Sequence, residues 1–229
     1  MVAEPDVSRV ARTIGDPTRL RMLTLLMEGR ALTAKELAYG TGVEPSTATS
    51  HLRRLLADAL VVARAQGRHK YFQLASPQVA RCIESLLVLA PATDTAPGKA
   101  DHPLREARFC YDHLAGRLAV RLTTSLLGCG ILELHDGNFL PTKNGERWFG
   151  RFGIDLGELA RTRRKFAPAC MDWSERKDHI GGALGAALAQ RLQDARWIKR
   201  KTGSREVAIT PAGQEALAAQ FGIAPSKRD

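Results

Sequence analysis

The sequence predicts a mainly α-helical chain with small β-hairpins, a fold of the α+β class. Apolar residues recur at the spacing i, i+3, i+4 and i+7 in several segments, which indicates amphipathic helices. Short β-favouring runs flank Gly-containing polar tips, the pattern of β-hairpins. Features of residues 104–155 return in residues 165–224, which indicates two copies of one helix-hairpin-helix unit. The 229 residues are enough for two domains, each with a core.

Composition narrows the class of partner. The net charge of +10 favours a polyanionic partner such as double-stranded DNA, because bound basic groups release the counterions condensed on nucleic acid. Both halves of the chain have more basic than acidic residues, so net charge does not indicate which half binds DNA. No apolar run is long enough to span a bilayer and no secretory signal begins the chain, so we expect a cytoplasmic protein without a membrane partner. The four cysteines include no C-x-x-C pair, so a disulfide framework is not expected.

The first helices are predicted from apolar spacing and capping residues. A short amphipathic helix over residues 7–14 precedes a second helix that Asp16 caps. Thr33 caps a third helix over residues 34–39, and Glu36 stands three residues further on to complete a capping box. These three helices lead into the most informative segment of the chain.

The segment from Val43 to Val61 combines a core face with a polar face. Wound as a helix from Pro45, it places apolar side chains on one side and short hydroxyl and cationic side chains on another. Short residues let the backbone approach base edges in the major groove, while long cations reach the flanking phosphates. With the helix and Gly-containing turn before it, the segment makes a helix-turn-helix. We expect base contacts from Ser46, Thr47, Thr49, Ser50 and His51, and phosphate contacts from Arg53 and Arg54.

A basic hairpin and an apolar helix follow. The runs 61–65 and 70–74 are joined by a polar tip that contains Gly67, which predicts a wing beside the recognition helix. A further helix that begins at Pro77 is more apolar than a lone surface helix requires, and we assign it, with the first helix, to a homodimer seam. The wing is expected to contact the adjacent groove or backbone through Arg64, Arg68, His69 and Lys70.

These segments together resemble the ArsR family of winged-helix repressors. The resemblance rests on Asp-Pro-Thr-Arg-Leu-Arg-Met-Leu at 16–23, on Ser-Thr-Ala-Thr-Ser-His-Leu-Arg-Arg-Leu at 46–55, on Leu-Val at 60–61 and on the wing. It implies a transcriptional regulator, with repression the expected mode, that binds a palindromic operator as a homodimer and responds to an effector. DNA binding itself requires no cofactor.

Two departures from the family pattern concern metal and backbone strain. Many members place cysteines on the helix before the recognition helix, where this chain has Thr33 and Lys35. The dimer helix offers only Cys82 and Glu84, so the sequence lacks the usual metal sites of the family. Ala59 stands where the family usually has glycine, which implies strain if that position needs a positive φ.

The linker and the repeat define the domains. Residues 91–103 have the Pro, Gly, Ala and Thr content of a linker. It separates a DNA-binding and dimerisation domain over residues 1–90 from a second domain over residues 104–229. The second domain repeats an apolar helix, a hairpin and a Thr-x-x-Gly helix at an offset of about 66 to 69 residues. Each copy is similar to the later half of a winged helix, and we expect the effector response here.

Cysteine, histidine and aspartate recur at the start of each copy. Cys110 and His113 are three residues apart and would share a face of a helix, and Cys170 and His179 recur in the second copy. If a pseudo-two-fold axis relates the copies, these four side chains converge into a tetrahedral site for zinc or another borderline metal. The candidate sensor residues are Cys110, Asp112, His113, Cys170, Asp172, Trp173, Arg176 and His179.

Other interpretations of these residues stay open. A cysteine beside an arginine such as Arg176 is a candidate thiol switch that reacts with an oxidant or electrophile. The aromatic residues of this region could line a pocket for a small organic ligand. In a purely structural interpretation, the cysteines are buried, Asp112 and Asp178 cap helices, and the histidines hold the copies together by hydrogen bonds.

A different class of function also fits the sequence: a thiol-redox or metal-binding protein whose winged units are protein-docking scaffolds. No nucleophile, base and orienting group form a set, so an enzyme is not expected. A second basic hairpin is able to touch phosphate, although a solvated hairpin has the same composition. Its basic residues are Lys199, Arg200, Lys201 and Arg205.

Overall fold

The computed structural model describes most of the chain, namely residues 5–27, 30–90, 103–201 and 204–224. It divides into two compact units, Met1–Leu87 and Val88–Asp229. In these described ranges no helix is both long and apolar enough to cross a membrane. The predicted linker lies outside the described residues, except for Pro103, which begins a short helix.

The described residues of the first unit form the helices that the sequence predicts. Asp16 caps the second helix by accepting a hydrogen bond from the backbone N–H of Arg19, and Thr33 and Glu36 make the reciprocal capping box of the third. These capping predictions are confirmed. The helices are α1 at Val7–Ile14, α2 at Pro17–Leu26, α3 at Ala34–Thr41, α4 at Pro45–Ala57 and α5 at Pro77–Leu89.

An antiparallel sheet completes the winged helix. β2 at Val61–Gln66 and β3 at His69–Leu74 form the predicted hairpin, which turns at Gly67 with a φ of 58°. A two-residue strand, β1 at Leu32–Thr33, pairs with β3 and gives the order β1-β3-β2. A strand of two residues is too short to show an alternating pattern, so β1 is not predictable from the sequence. Ala59 has a φ of 52°, so this position does adopt the positive φ at which the family usually has glycine.

In the second unit one order of elements occurs twice, after the short helix α6 at Pro103–Glu106. Each time, two paired strands precede a helix, and two more paired strands precede a second helix. The first set is β4 at Arg108–Cys110, β5 at His113–Ala115, α7 at Arg117–Gly128, β6 at Leu132–His135, β7 at Asn138–Pro141 and α8 at Lys143–Phe152. After α9 at Leu156–Ala160, the second set is β8 at Ala169–Met171, β9 at Asp178–Ile180, α10 at Gly182–Asp194, β10 at Ile198–Arg200, β11 at Val207–Ile209 and α11 at Pro211–Phe221.

The prediction that Asp112 and Asp178 cap helices is wrong. Both lie in hairpins, and the residues that precede α7 and α10 are Gly116 and Gly181. The first hairpin has no recognisable turn pattern, because Tyr111 adopts the positive φ of 62° at its tight turn and no glycine marks that turn. Cys110 and His113 therefore face each other across a hairpin instead of sharing a helix face.

The two sets exchange backbone hydrogen bonds. In one direction, the N–H of Phe109 on β4 donates to the carbonyl of Arg205, 2.8 Å away. In the other, the N–H of Phe139 on β7 donates to the carbonyl of Ala167, also at 2.8 Å. The buried apolar residues of both sets form one contiguous core, which includes Leu118, Leu126, Phe149, Leu184, Leu192 and Leu217. The second unit therefore buries its two sets as one body.

In each Thr-x-x-Gly segment the glycine lies against the backbone of another part of the chain. Thr142 accepts a hydrogen bond from the N–H of Gly145 at 3.0 Å, and Thr210 accepts one from Gly213 at 2.9 Å. A Cβ atom would lie 2.0 Å from the carbonyl oxygen of Ile131 in the case of Gly145, and of Trp197 in the case of Gly213; each of these residues directly precedes the hairpin. The backbone packing thus excludes any side chain at these two positions.

Candidate functional site

The recognition helix α4 divides sharply into a buried and an exposed face. Ala48, Leu52 and Leu55 are at most 2% exposed and pack toward the core of the first unit. The opposite face carries the short hydroxyl side chains and one arginine of the predicted DNA contacts. These exposed residues are Ser46, Thr47, Thr49, Ser50 and Arg53.

His51 and Arg54 lie in different surroundings from those that the sequence suggested. The His51 side chain is only 18% exposed, and its Nδ1 lies 3.5 Å from the Arg19 guanidinium and 3.7 Å from the Asp16 carboxylate. Arg54 keeps an exposed surface, but its Nε lies 3.1 Å from Asp58, one turn further along the chain. The contact between His51 and Arg19 of α2 does not show in the spacing of α4. Asp58, in contrast, lies four residues after Arg54, a spacing at which side chains of one helix meet.

Asp58, just beyond α4, joins that helix to α1. Its carboxylate accepts hydrogen bonds from the Thr13 hydroxyl and from Arg9 Nε, and it also pairs with Arg54. The side chain is 1% exposed. The hydrogen bond from Thr13 lowers the pKa of Asp58 most, and Arg9 and Arg54 lower it further against the opposing effect of burial. The sequence does not point to Asp58, because its hydrogen-bond donors Arg9 and Thr13 lie more than forty residues away.

The wing presents a basic tip on a well-packed base. Phe72 is 5% exposed, and the ammonium of Lys70 lies 5.7 Å from the centre of its ring. β2 packs against α4, so the wing and the recognition helix belong to the same rigid unit. The four predicted wing contacts, Arg64, Arg68, His69 and Lys70, are all exposed.

In the second unit the structure brings together four side chains of the types that coordinate metal ions. The candidate ligand atoms of Cys110, His113, Cys170 and His179 all lie within 4.8 Å of one another. Cys110 pairs with His113 across β4 and β5, and Cys170 pairs with His179 across β8 and β9. Each hairpin therefore supplies one sulfur and one imidazole. We refer to these four residues as the Cys₂His₂ cluster.

Burial and mutual contact perturb the protonation of the cluster. Burial lowers the pKa of His113, but the Asp112 carboxylate and the Cys170 sulfur outweigh it and raise that pKa to about 9. The Cys110 thiol lowers the pKa of Cys170 far below its ordinary value against the effect of burial, and the two imidazoles lower it further. Both shifts come from the close approach of the sulfurs, the imidazoles and the Asp112 carboxylate.

Asp172 holds a buried ion pair and does not enter the cluster. Its carboxylate accepts hydrogen bonds from Arg108 at 2.9 Å, from the N–H of Gly116 at 2.6 Å and from the Ser174 hydroxyl at 2.7 Å. Arg108 is inaccessible to solvent, and its guanidinium lies 4.3 Å from the centre of the Trp173 ring. Burial raises the pKa of Asp172, but the Arg108 charge and the hydrogen bond from Ser174 more than offset it, so that pKa is lowered. Asp172 and Trp173 thus fix Arg108 in place.

The remaining predicted sensor residues make other contacts. Asp112 lies 3.3 Å from His113 Nδ1 and also pairs with Arg164 at 2.6 Å. Arg176 donates a hydrogen bond to the carbonyl of Val88. The structure thus places Asp112 directly behind a cluster histidine.

The aromatic residues and the second basic hairpin are largely engaged within the unit. Trp148 stacks on Phe152 with ring centres 4.6 Å apart, so this pair belongs to the core. The guanidinium of Arg200 lies 3.8 Å from the centre of the Phe109 ring, and Lys201 pairs with Glu206, just before β11. Trp148 and Phe109 thus pack within the unit, while an aromatic ligand pocket and phosphate contact by the hairpin stay predictions.

Comparisons with known proteins agree on the type of the first unit. Residues 14–64 match a family model described as a helix-turn-helix domain. Over 222 residues, the chain is 39% identical to YdfF of Bacillus subtilis, named as an uncharacterized HTH-type transcriptional regulator, and this covers 96% of the chain and 98% of YdfF. Over 92 residues, it is 35% identical to the HTH-type transcriptional regulator CmtR of Mycobacterium bovis, covering 40% of the chain and 77% of CmtR. The solved winged helix-turn-helix domain of Mb0332 from Mycobacterium bovis matches 39% of the chain and 89% of that structure, with 29% identity and a TM-score of 0.35.

Proposed function

Because the chain belongs to the HTH-type transcriptional regulators of the ArsR family, DNA-binding proteins with a winged helix-turn-helix, we propose that it is a repressor of a palindromic operator. The observation that carries the proposal is the division of α4 into a buried apolar face and an exposed face of short polar side chains. A helix with these two faces packs on its own domain while it reads the major groove.

The exposed residues of α4 suit a close approach to DNA. Ser46, Thr47 and Ser50 have side chains short enough to let the helix backbone come near base edges. Arg53, one turn further along, reaches a phosphate or a guanine, and the basic wing tip adds phosphate contacts beside it. We assign His51 to the packing of α4 on α2 rather than to base contact, because Arg19 and Asp16 already surround its ring.

A homodimer explains the exposed apolar residues of the first unit. Val7 on α1 is 71% exposed and Leu86 on α5 is 38% exposed, on the two helices that the sequence assigns to a dimer seam. Burying such side chains against a second copy removes apolar surface from water. A two-fold dimer presents two copies of α4 to half-sites about one helical turn of DNA apart, which requires a palindromic operator. Such a regulator acts in the cytoplasm, where bacterial DNA lies.

We assign the effector response to the second unit, as a duplicated winged-helix-like domain over residues 104–229. The repeated element order, the exchanged hydrogen bonds and the two Thr-x-x-Gly segments support the duplication. The first 90 residues then form the DNA-binding and dimerisation domain, and residues 91–103 the linker. A metal, an oxidant and a small molecule are the effector classes to test.

Binding to a duplex from the protein's own promoter region tests the function. Ser50→Ala and Arg53→Ala are each expected to weaken binding to that duplex by about 5-fold or more, at about 1–3 kcal/mol per lost contact. Arg53→Ala should also reduce the slope of log affinity against log salt by about 1 if Arg53 contacts a phosphate. Arg163→Ala, an exposed arginine of the second unit, is the matched control. Equal affinity of the wild-type chain for promoter and random duplexes would instead favour the redox or metal-binding alternative.

A further inference from the structure

The Cys₂His₂ cluster contains buried nitrogen atoms that lack hydrogen-bond partners. Among the described residues, His113 Nε2 and both ring nitrogens of His179 are buried without a partner at ordinary hydrogen-bond distance. His179 is 1% exposed. A buried polar atom left unsatisfied destabilises the fold, so native proteins usually supply a partner or a bound ion. The imidazole nitrogens of the cluster are therefore available to coordinate an ion between the two hairpins.

The spacing of the sulfurs fits a shared metal ion better than a disulfide. Cys110 Sγ and Cys170 Sγ lie 3.9 Å apart. Two thiolates at about 2.3 Å from one tetrahedral zinc ion are about 3.8 Å apart, as the edge of that tetrahedron. A disulfide needs about 2.05 Å, so the sulfurs would have to approach by nearly 2 Å. The observed separation already matches the metal-bound geometry.

We propose that Cys110, His113, Cys170 and His179 bind one Zn²⁺ or another thiophilic divalent ion in a closed tetrahedral site. Two sulfur and two imidazole ligands are a set that zinc prefers, and four protein ligands leave no open position for a reacting water. The ion is therefore structural or regulatory. This site goes beyond the proposed function, because metal binding does not need DNA.

The residues behind the histidines support the assignment. Asp112 Oδ1 lies 3.3 Å from His113 Nδ1, and Asp172 Oδ2 lies 3.8 Å from His179 Nδ1. Zinc-bound histidines usually have a carboxylate at the ring nitrogen that faces away from the metal. Asp112 takes this position behind His113, whereas Asp172 lies near His179 Nδ1 without a hydrogen bond to it. Arg164 and Arg108 in turn hold the two carboxylates. The ligand set and its supports thus come from both halves of the second unit.

Cobalt titration of the full chain tests the site directly. Reduced protein stripped of metal is titrated with Co²⁺, whose visible absorption distinguishes tetrahedral thiolate coordination from octahedral coordination. We expect a tetrahedral spectrum that saturates at one Co²⁺ per chain and disappears when Zn²⁺ is added. Binding of one ion should also raise the Tm of the second unit by about 5 °C or more at a metal concentration of 100 times Kd. An octahedral spectrum, or no saturable binding, overturns the proposal.

Single variants then identify the ligands. Cys170→Ser and His179→Gln should each weaken Co²⁺ binding by about 100-fold or more, and Asp112→Asn by about 10- to 100-fold. Cys82→Ser and Cys129→Ser, at exposed cysteines outside the cluster, should leave binding unchanged. Circular dichroism checks that each variant is folded. If a ligand variant unfolds, the wild-type cobalt spectrum and stoichiometry still decide the outcome.

The outcomes separate this proposal from the proposed function. A chain that binds its promoter but no metal refutes the metal site and leaves the repressor assignment intact. A chain that binds one metal ion but shows no preference for its promoter refutes the repressor assignment and leaves the metal site intact. A Cys110–Cys170 disulfide, found by mass spectrometry in a chain that binds no metal, overturns the proposal in favour of a thiol switch.

Discussion

Replacing Asp172 by alanine should strongly destabilise the second unit. Asp172 is fully buried and pairs with Arg108, whose side chain is also inaccessible to solvent. The substitution leaves the guanidinium charge buried beside Trp173 without its carboxylate, and it removes the acceptor of the Gly116 N–H and the Ser174 hydroxyl. Removing one partner of a buried ion pair costs about 3–5 kcal/mol. We expect a loss in this range in the free energy of unfolding.

Urea unfolding with the metal removed measures this loss. With a urea dependence of about 2 kcal/mol per molar for a unit of this size, a loss of about 4 kcal/mol lowers the midpoint by about 2 M. The control Asp194→Ala, at an exposed position of the same unit, should change the free energy of unfolding by about 0.5 kcal/mol or less. The double variant Arg108→Ala with Asp172→Ala should lose less than the sum of the two single variants, because the pair is lost only once.

A small effect would refute the structural role of this ion pair. If Asp172→Ala lowers the free energy of unfolding by less than about 1 kcal/mol, the carboxylate is not a buried partner of Arg108. Additive losses in the double variant would likewise show that the two side chains do not interact. Either result would return Asp172 to the group of candidate sensor residues.

Three further predictions concern pH, a close helix contact and backbone strain. Folding lowers the pKa of Asp58, so the carboxylate stabilises the first unit at pH values above its unfolded pKa of about 3.9. This stabilisation is lost as the pH falls through the folded pKa. Melting temperatures measured against pH should show the loss in wild type and less of it in Asp58→Asn. Gly213→Ala should lower the Tm, because its Cβ would meet the Trp197 carbonyl, whereas Gly150→Ala, with open space around it, should keep or raise the Tm. Ala59→Gly should stabilise the first unit by about 1 kcal/mol in urea unfolding by relieving its positive φ; no gain would show that the position is unstrained.

The first unit was predictable from sequence because its determinants are local. The caps at Asp16 and Thr33 and the apolar spacing of α4 lie within a few residues of the elements that they define. The strand β1 was not predictable, because its pairing with β3 joins residues about forty positions apart. Local patterns thus determine helices and a hairpin, but not the third strand.

The candidate sites show the same division. The hydroxyl face of α4 follows from helical periodicity alone, whereas the packing of His51 depends on Arg19 and Asp16 of another helix. The repeat suggested that the cysteines and histidines converge, but the hairpins that carry them gave no turn pattern at Tyr111. The pairing of Arg108 with Asp172 could not be foreseen, because the two residues are 64 positions apart and no sequence pattern connects them.

The most direct test of the central claim is hydroxyl-radical footprinting on the promoter duplex that the protein binds best. A dimeric winged helix-turn-helix predicts two symmetric protected half-sites about one helical turn apart, with two chains bound per duplex. Arg53→Ala should need about 5-fold more protein or higher for the same protection, whereas Arg163→Ala should protect at the wild-type concentration. A single unsymmetric footprint, or equal protection of unrelated sequences, would contradict a homodimer that reads a palindromic operator through α4.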